Sequence, residues 1–228
     1  MNINRSGQTI ASITIPGLLL LCFNCIQATG KTLIFPIPQQ IQVTESTFIL
    51  DETVTIIIPV EMSRNDLFLA RFLAKECSDR SGIALKIEKC ADIPKDRKVV
   101  IMGRFDNTLV NQYCKTNNLE VSGKSPGPEG YRLRVSRKNI VIAGSDDAGA
   151  FYGLQSLRQI ISAGNGKEIQ GLEVSDWPRF PFRAIKLYVP GPENAAFFRR
   201  FLRDFMSLYK YNKVIIELPC MRLDNIRS

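Results

Sequence analysis

Short apolar runs alternate along the chain with stretches whose apolar residues recur at helical spacing. Runs typical of strands lie at 47–50, 53–60, 98–103 and 169–174. Residues 64–79 carry an apolar stripe of helical period, with Ser63 placed to cap the helix start and Gly82 placed to end it. A weaker helix is predicted over 107–116. Strands separated by helices in this way indicate a layered structure of sheet and helices.

The most regular local pattern is a hairpin followed by a helix. Apolar and polar residues alternate over 131–135, and a short turn leads into the apolar run 140–142. A helix is predicted from 145 to 162. Gly149 and Gly153 lie on one face of this helix, and their lack of side chains lets it approach the sheet closely. The hairpin adds antiparallel pairing, so the predicted sheet is mixed.

We therefore expect an α+β domain over 31–175, a mixed sheet with helices packed on it. A different pattern follows over 176–228, where a strand (182–189), a helix (193–211) and a second strand (213–218) form one βαβ unit. The helix carries a broad apolar face, made by Phe197, Phe198, Phe201, Leu202, Phe205, Leu208 and Tyr209. Burying such a stripe contributes on the order of 10–20 kcal/mol, at about 1.5–3 kcal/mol per large side chain. The unit consequently needs further strands, the neighbouring domain or a partner.

The first thirty residues predict an export signal. Arg5 supplies the positive start, an uncharged apolar stretch runs over 10–25, and Ala28-Thr29-Gly30 offers small residues for cleavage. An uncleaved N-terminal anchor is the alternative, and the residues before Cys22 faintly resemble a lipoprotein box with Leu21 in place of a small residue. We expect a secreted or periplasmic protein with no membrane span once the signal is removed.

Composition narrows the possible chemistry. The chain has no histidine, which excludes Ser-His and Cys-His nucleophile pairs and zinc sites built on His. Its net charge is +8, but the basic residues are scattered singly or in pairs, and this pattern is typical of solvated faces, not of nucleic-acid binding. The four cysteines beyond the signal are Cys77, Cys90, Cys114 and Cys220, and their spacing is not that of metal ligands. We interpret them as small buried hydrophobic residues; export would permit a Cys77–Cys90 bridge but does not require one.

Two motifs together resemble a known family. The first is Gly130-Tyr131-x-Leu133-x-Val135, then Ile140-x-Ile142, then Gly149-x-Phe151-Tyr152-Gly153-Leu154-Gln155-Ser156-Leu157-x-Gln159. The second is Asp176-Trp177-Pro178-Arg179-Phe180-Pro181-Phe182-Arg183. The first resembles the N-terminal domain of family 20 glycoside hydrolases, the β-N-acetylhexosaminidases, and the second resembles their junction into a catalytic (β/α)8 barrel. Similar N-terminal domains precede the barrels of family 84 and of some α-glucuronidases.

The resemblance implies hydrolysis of terminal N-acetylhexosamine from glycans, with the substrate's acetamide as nucleophile and without metal or organic cofactor. Family members use an Asp-Glu pair on the fourth barrel strand, an exception to the usual two-carboxylate scheme. The sequence ends just beyond the second strand, so we predict a truncated barrel start, no catalytic residue and no activity of this chain alone. The glycan substrate would bind only to a complete barrel.

Two residues are candidate substrate contacts. The family's Pro-Arg-Phe-x-x-Arg-Gly junction has an Arg that binds sugar hydroxyls, and this position is Arg183, followed here by Ala184. The alternative is a structural Arg that bonds the junction between the domains. Glu217 occupies a position where the family places His at the pocket side of the second strand, and its alternative is a charged strand end facing solvent or Arg222.

Departures from the family pattern leave the function open. The family's Leu-Asp-Val-x-Arg-His is replaced by 187–192, which reads Leu-Tyr-Val-Pro-Gly-Pro. Besides the N-terminal part of an exported glycosidase, the chain fits a non-catalytic carbohydrate- or partner-binding module, or a domain that docks an enzyme in trans. Tyr152 is predicted to pack between helix and sheet and not to act as a stacking platform.

Overall fold

The structure, a computed structural model, describes residues 34–163 and 167–217 of the 228-residue chain. The predicted export signal, Cys220 and Arg222 lie outside these residues. Within them, no helix is long and apolar enough to span a bilayer. The same residues contain no group of three or more His, Cys, Asp or Glu arranged to hold a metal ion.

A seven-stranded mixed sheet forms the body of the molecule, as expected for an α+β domain. Its strands are β1 (Gln40–Ile49), β2 (Thr55–Pro59), β3 (Lys86–Cys90), β4 (Val99–Arg104), β5 (Tyr131–Val135), β6 (Asn139–Gly144) and β7 (Glu168–Asp176). Their spatial order is β1-β7-β5-β6-β4-β2-β3. The half that contains β6, β4, β2 and β3 is parallel, and the remaining neighbours pair antiparallel.

Helices cover both faces of this sheet. Helices α1 (Arg64–Ser81) and α3 (Asp147–Ala163) enclose the larger core on one face, and α2 (Thr108–Thr116) covers a smaller core on the other. Neighbouring strand residues alternate between the two cores, as in β2, where Ile56 faces the larger core and Ile57 the smaller. The three helices and the hairpin lie where the sequence pattern predicts them.

The helix ends follow the predicted capping chemistry. The Ser63 hydroxyl accepts a hydrogen bond from the Asp66 backbone amide at 3.0 Å, and the Asp66 carboxylate accepts one from the Ser63 amide at 2.8 Å. Gly82 ends α1 with φ of 66°, the left-handed conformation that favours glycine. In α2, the Asn107 side chain caps the amides of Leu109 and Val110, at 3.1 Å each.

Two glycines bring α3 against the sheet, as predicted. A methyl group at Gly149 would lie 2.0 Å from the carbonyl oxygen of Gly130. One at Gly153 would lie 2.4 Å from Cγ2 of Ile142. Both distances are far inside van der Waals contact, so the helix occupies this position only because side chains are missing there.

The βαβ unit is present and forms a separate two-stranded parallel sheet. Strands β8 (Ala184–Tyr188) and β9 (Lys213–Glu217) pair in parallel. The predicted single helix is a composite: a 3-10 turn (Pro192–Asn194), α4 (Ala195–Arg200) and a π-helical turn (Phe201–Met206) follow one another. The last turn is wider than an α-helical turn. Its π-helical geometry is indicated by a hydrogen bond from the Ser207 amide to the carbonyl of Leu202, five residues earlier, at 3.0 Å.

Apolar side chains of the βαβ unit remain exposed. Val214, Ile215 and Ile216 of β9 are 39%, 47% and 44% exposed. Because consecutive strand residues point to opposite faces, apolar side chains are exposed on both faces of the small sheet. On the helix, Phe197 is 62% exposed, whereas Met206 is only 4% exposed. Parallel strands are normally buried on both faces, so this sheet exposes surface that such strands ordinarily cover.

The cysteines do not follow the permitted pairing. Cys77, Cys90 and Cys114 are free thiols. Cys77 belongs to the larger core, whereas Cys90 packs against the smaller core on the other face of the sheet. The Cys77–Cys90 bridge is therefore absent because the sheet lies between the two side chains.

Candidate functional site at the junction

A buried ion pair joins the α+β domain to the βαβ unit. The Lys210 Nζ lies 2.9 Å from the Asp176 Oδ2 and donates a hydrogen bond to the Tyr131 hydroxyl at 2.9 Å. Asp176 ends β7 and Tyr131 begins β5, and the two are direct neighbours in the sheet register. Lys210 comes from the turn before β9, where its φ of 61° is left-handed. Three separate parts of the chain thus meet at one charged contact.

The three side chains of this contact are buried, and burial sets their electrostatics. Tyr131, Lys210 and Asp176 are 1%, 6% and 7% exposed. Burial lowers the pKa of Lys210, while the Asp176 carboxylate acts in the opposite direction. Burial, together with Asp176, raises the pKa of Tyr131 well above its ordinary value. The tyrosine therefore stays a neutral donor, and the ammonium is stable there because the carboxylate faces it.

Arg183 lies beside this ion pair and bonds the junction. Its Nε donates to the Lys210 carbonyl and its Nη1 to the Phe180 carbonyl, each at 2.8 Å. Its Nη2 forms an ion pair with Glu129. The guanidinium also lies over the Tyr152 ring, 5.3 Å from the ring centroid. This is the arrangement expected of a structural arginine, and among the described residues three of its five N–H donors have acceptors while two do not.

Asn212 extends the same network. Its side-chain amide donates to the Glu129 carboxylate at 3.2 Å and to the Pro181 carbonyl at 2.8 Å. Its side-chain oxygen accepts a hydrogen bond from the Arg183 amide at 3.0 Å. The loop before β5 and the segments that flank β8 and β9 are therefore held together by side chains whose donors and acceptors are matched.

A small cavity opens next to Arg183. Its volume is about 220 Å³, and its lining combines aromatic rings with charged groups: Pro36, Ile37, Glu129, Tyr131, Tyr152, Asp176, Trp177, Pro178, Arg179, Phe180, Arg183 and Lys210. Tyr152 belongs to the core between α3 and the sheet, as its pattern predicted. The cavity is concave and mostly apolar with a few convergent polar groups, as ligand sites commonly are.

The structure does not bring the two predicted site residues together. Arg183 precedes β8, whereas Glu217 ends β9, and the parallel register places them at opposite ends of the small sheet. Glu217 forms an ion pair with Lys186. A role of Arg183 or of Glu217 in sugar binding therefore stays a prediction, and the two residues would not contact the same sugar ring.

An adjacent Asp-Glu pair occurs in the chain at Asp51-Glu52, outside the βαβ unit. It lies in the turn between β1 and β2, and the Asp51 carboxylate bonds the Lys98 ammonium and the Thr53 amide. This environment is that of a turn-stabilising carboxylate on the α+β domain, whereas the resemblance places the family's catalytic pair on a barrel strand.

Sequence reasoning missed Glu129, Lys210 and Asn212. Glu129 stands in a glycine- and proline-rich loop that predicts only irregular structure, although its φ of 57° marks a specified turn. Lys210 and Asn212 sit where a helix ends, a position that normally carries solvated polar residues. Nothing in the local pattern indicates that Lys210 faces the buried Asp176 and that Asn212 faces the partly buried Glu129.

Comparison with known proteins decides the family. The sequence profile of glycosyl hydrolase family 20, domain 2, matches residues 31–177. The chain belongs to glycosyl hydrolase family 20. A β-hexosaminidase of Porphyromonas gingivalis is 26% identical over 196 residues, which cover 79% of this chain and 22% of that protein. A β-hexosaminidase of Vibrio vulnificus is 33% identical over 129 residues, covering 55% of this chain and 15% of that protein.

Solved structures of family 20 share the fold. The β-N-acetylhexosaminidase of Streptomyces coelicolor A3(2) matches with a TM-score of 0.60 and 21% sequence identity, over 81% of this chain and 34% of that structure. The family 20 chain therefore spans about a fifth or less of the curated relatives it matches, and about a third of the solved structure.

Proposed function

We propose that this chain is the N-terminal part of an exported β-N-acetylhexosaminidase, with residues 176–228 as the start of its (β/α)8 barrel. The reaction would be hydrolysis of terminal N-acetylhexosamine from glycans by the substrate-assisted route of the family. Membership of family 20 and the names of its relatives support this assignment.

The exposed small sheet is the observation that carries the barrel proposal. β8 and β9 are parallel, are joined by a helix, and expose apolar residues on both faces of β9. A two-stranded sheet of this kind is too small to bury its own side chains. Further βα units would cover both faces at once, because a barrel packs helices outside its strands and side chains inside.

In this proposal the α+β domain acts as a support for the barrel. The Lys210–Asp176 ion pair and the Arg183–Glu129 ion pair fix the turn before β9 and the start of β8 to the sheet. Both anchor points lie at the amino ends of β8 and β9, so neither ion pair involves their carboxyl ends. Barrel active sites form at carboxyl ends, so the support would leave the site unobstructed.

Hydrolysis by the purified chain tests the catalytic part of the proposal. Since the family's catalytic pair belongs to a barrel strand beyond this sequence, the 228-residue chain should not release the chromophore from an aryl β-N-acetylglucosaminide. The matched control is the same preparation after heat denaturation. Turnover clearly above that control would contradict the proposal that catalysis requires the missing strands.

A carbohydrate-binding module is the second candidate, favoured by Arg183 with its two spare donors beside the cavity. Calorimetry with chitobiose would then show heat that Arg183→Ala reduces. Arg71→Ala, an exposed arginine on α1, is the matched control and should leave the heat unchanged. Absence of heat with the unsubstituted chain would exclude a sugar site at this junction.

A further inference from the structure

A polar groove lies on the face of the sheet opposite the junction. Its volume is about 290 Å³ and it runs across β1, β7 and β5 beside the segment that follows α2. The lining residues are Gln40, Ile41, Gln42, Leu119, Arg132, Leu133, Arg134, Glu173, Val174 and Ser175. Tyr131 points to the junction and its neighbour Arg132 to the other face, so the groove is separate from the site described above.

Strand register arranges the polar side chains in two rows. One row consists of Gln40, Ser175 and Arg132, which are direct neighbours across the three strands. The next row consists of Gln42, Glu173 and Arg134. Neighbouring strands lie about 4.8 Å apart, so each row presents its donors and acceptors at a regular spacing of about that length.

The two arginines differ in their partners. Arg134 pairs with Glu173 at 2.8 Å and also donates toward the Asn117 carbonyl. Arg132 takes part in none of the ion pairs formed by the residues that the structure describes. The Nε atoms of both arginines are buried and have no acceptor among the described residues, so the two differ in ion pairing: Arg134 has a carboxylate partner there and Arg132 has none. A half-buried guanidinium without a counter-ion is unfavourable, and an anionic group of a ligand would remove that cost.

The remaining lining groups restrict which anion fits. The side-chain amides and the hydroxyl donate and accept hydrogen bonds, as sugar hydroxyls require, while the Glu173 carboxylate only accepts and would repel a ligand that offers only acceptors. The lining contains no aromatic side chain within the described part of the chain, so the groove lacks the stacking platform that single-stranded nucleic acids use.

We propose that this groove binds an acidic oligosaccharide, with Arg132 holding its carboxylate or sulfate and Gln40, Gln42 and Ser175 bonding its hydroxyls. The site is on the face away from the βαβ unit, so it does not depend on the barrel proposal. It would retain acidic glycan chains at a distance from any catalytic centre.

Calorimetry on the full chain with three tetrasaccharides tests this. Chondroitin sulfate (carboxylate and sulfate) and hyaluronan (carboxylate only) should bind, whereas neutral chitotetraose should not. Preference for the first over the second identifies sulfate as the group at Arg132, and equal binding identifies the carboxylate. Arg132→Gln should weaken binding by about 10-fold or more, the usual effect of losing a hydrogen bond to a charged group.

Two further variants separate a specific site from general charge attraction. Arg71→Gln removes the same charge from α1 on the opposite face and should leave affinity unchanged. Gln42→Ala alters an exposed groove residue without risk to folding and should weaken binding a few-fold. The proposal fails if no acidic tetrasaccharide binds, if Arg71→Gln weakens binding as much as Arg132→Gln, or if chitotetraose or a single-stranded oligonucleotide binds equally well.

Discussion

Lys210 shows how one side chain can connect two parts of a protein. It is buried beside Asp176 and Tyr131, and neither its position after a helix nor its neighbours in sequence predict this. Sequence reasoning found Arg183 because a motif marks it, but Glu129 and Lys210 are specified only by contacts across more than 30 positions of the chain. Local patterns carry no information about such pairs, which is why half of the junction was not predicted.

Breaking the Lys210–Asp176 pair should destabilise the fold strongly. Lys210→Met leaves the Asp176 carboxylate buried without its partner, and removing one member of a buried pair typically costs about 3–5 kcal/mol. The double variant Lys210→Met with Asp176→Asn removes the unpaired charge and should recover part of that loss. Urea unfolding of the three proteins measures both effects. A single variant that unfolds at the urea midpoint of the parent chain would show that the pair is not buried.

Cys77 should be inert in the folded protein. Burial, with a smaller contribution from Glu76, raises the pKa of its thiol from 9.0 to about 12. Iodoacetamide reacts with the thiolate, so at pH 9 peptide mapping should find Cys77 labelled only when urea is added. The folded state keeps this proton while the unfolded state loses it, so Cys77 stabilises the fold below about pH 9 and the benefit is lost as pH rises toward 12. Rapid labelling without urea would contradict this.

At the scale of elements, the sequence specified helices and core strands well and edges poorly. The caps Ser63 and Gly82 fixed α1 at both ends. Strand β3 was not predicted, because Lys86–Cys90 is short and three of its five residues are charged; it lies at the sheet edge, where charges discourage further pairing. The π-helical turn was also not predicted, since π and α turns have the same apolar residues and differ only in hydrogen bonding.

The close approach of α3 to the sheet predicts the effect of adding a methyl group. Gly153→Ala would place Cβ 2.4 Å from Ile142, and such overpacking typically costs about 1–3 kcal/mol, more than the gain of about 1 kcal/mol in helix propensity. Gly149→Ala should be worse because it meets a backbone carbonyl, which cannot rotate away. Thermal unfolding compares both with Gly123→Ala.

Gly123→Ala is the matched control, since its methyl group would lie 3.7 Å from Phe105, in ordinary contact. We expect a change within about 0.5 kcal/mol, as for substitutions without a specific clash. Equal stability of the Gly153→Ala and Gly123→Ala proteins would mean that α3 lies further from the sheet than described.

At the scale of the whole molecule, the well-packed α+β domain is joined to a βαβ unit whose apolar side chains are exposed. The larger core is closed by α1 and α3, while β9 and the helix before it expose apolar side chains. The apolar stripe of the helix predicts that the βαβ unit needs a further covering surface. Nothing in the sequence pattern predicts that the end of the same helix is anchored to the α+β domain through Met206 and Lys210.

This exposed surface should bind a hydrophobic dye. Phe197→Ser and Ile215→Ser alter residues that are 62% and 47% exposed, so both should lower anilinonaphthalene sulfonate fluorescence with little change in the free energy of unfolding. Ile142→Ser, at a position with 0% exposure, should instead destabilise the fold. Unchanged dye fluorescence in the first two variants would mean that these residues are covered in solution.

The pairing of β1 with β7 has a consequence for biosynthesis. Among the described strands, β1 pairs only with β7, with Gln40 opposite Ser175, so the ribosome must synthesise nearly the whole domain before this pairing can form. Until then the nascent chain presents β5 with one open edge, a state that invites association with other chains. Asp176 is synthesised together with the end of β7, and Lys210 is synthesised later. The Lys210–Asp176 ion pair between the α+β domain and the βαβ unit can therefore form only after the sheet is complete.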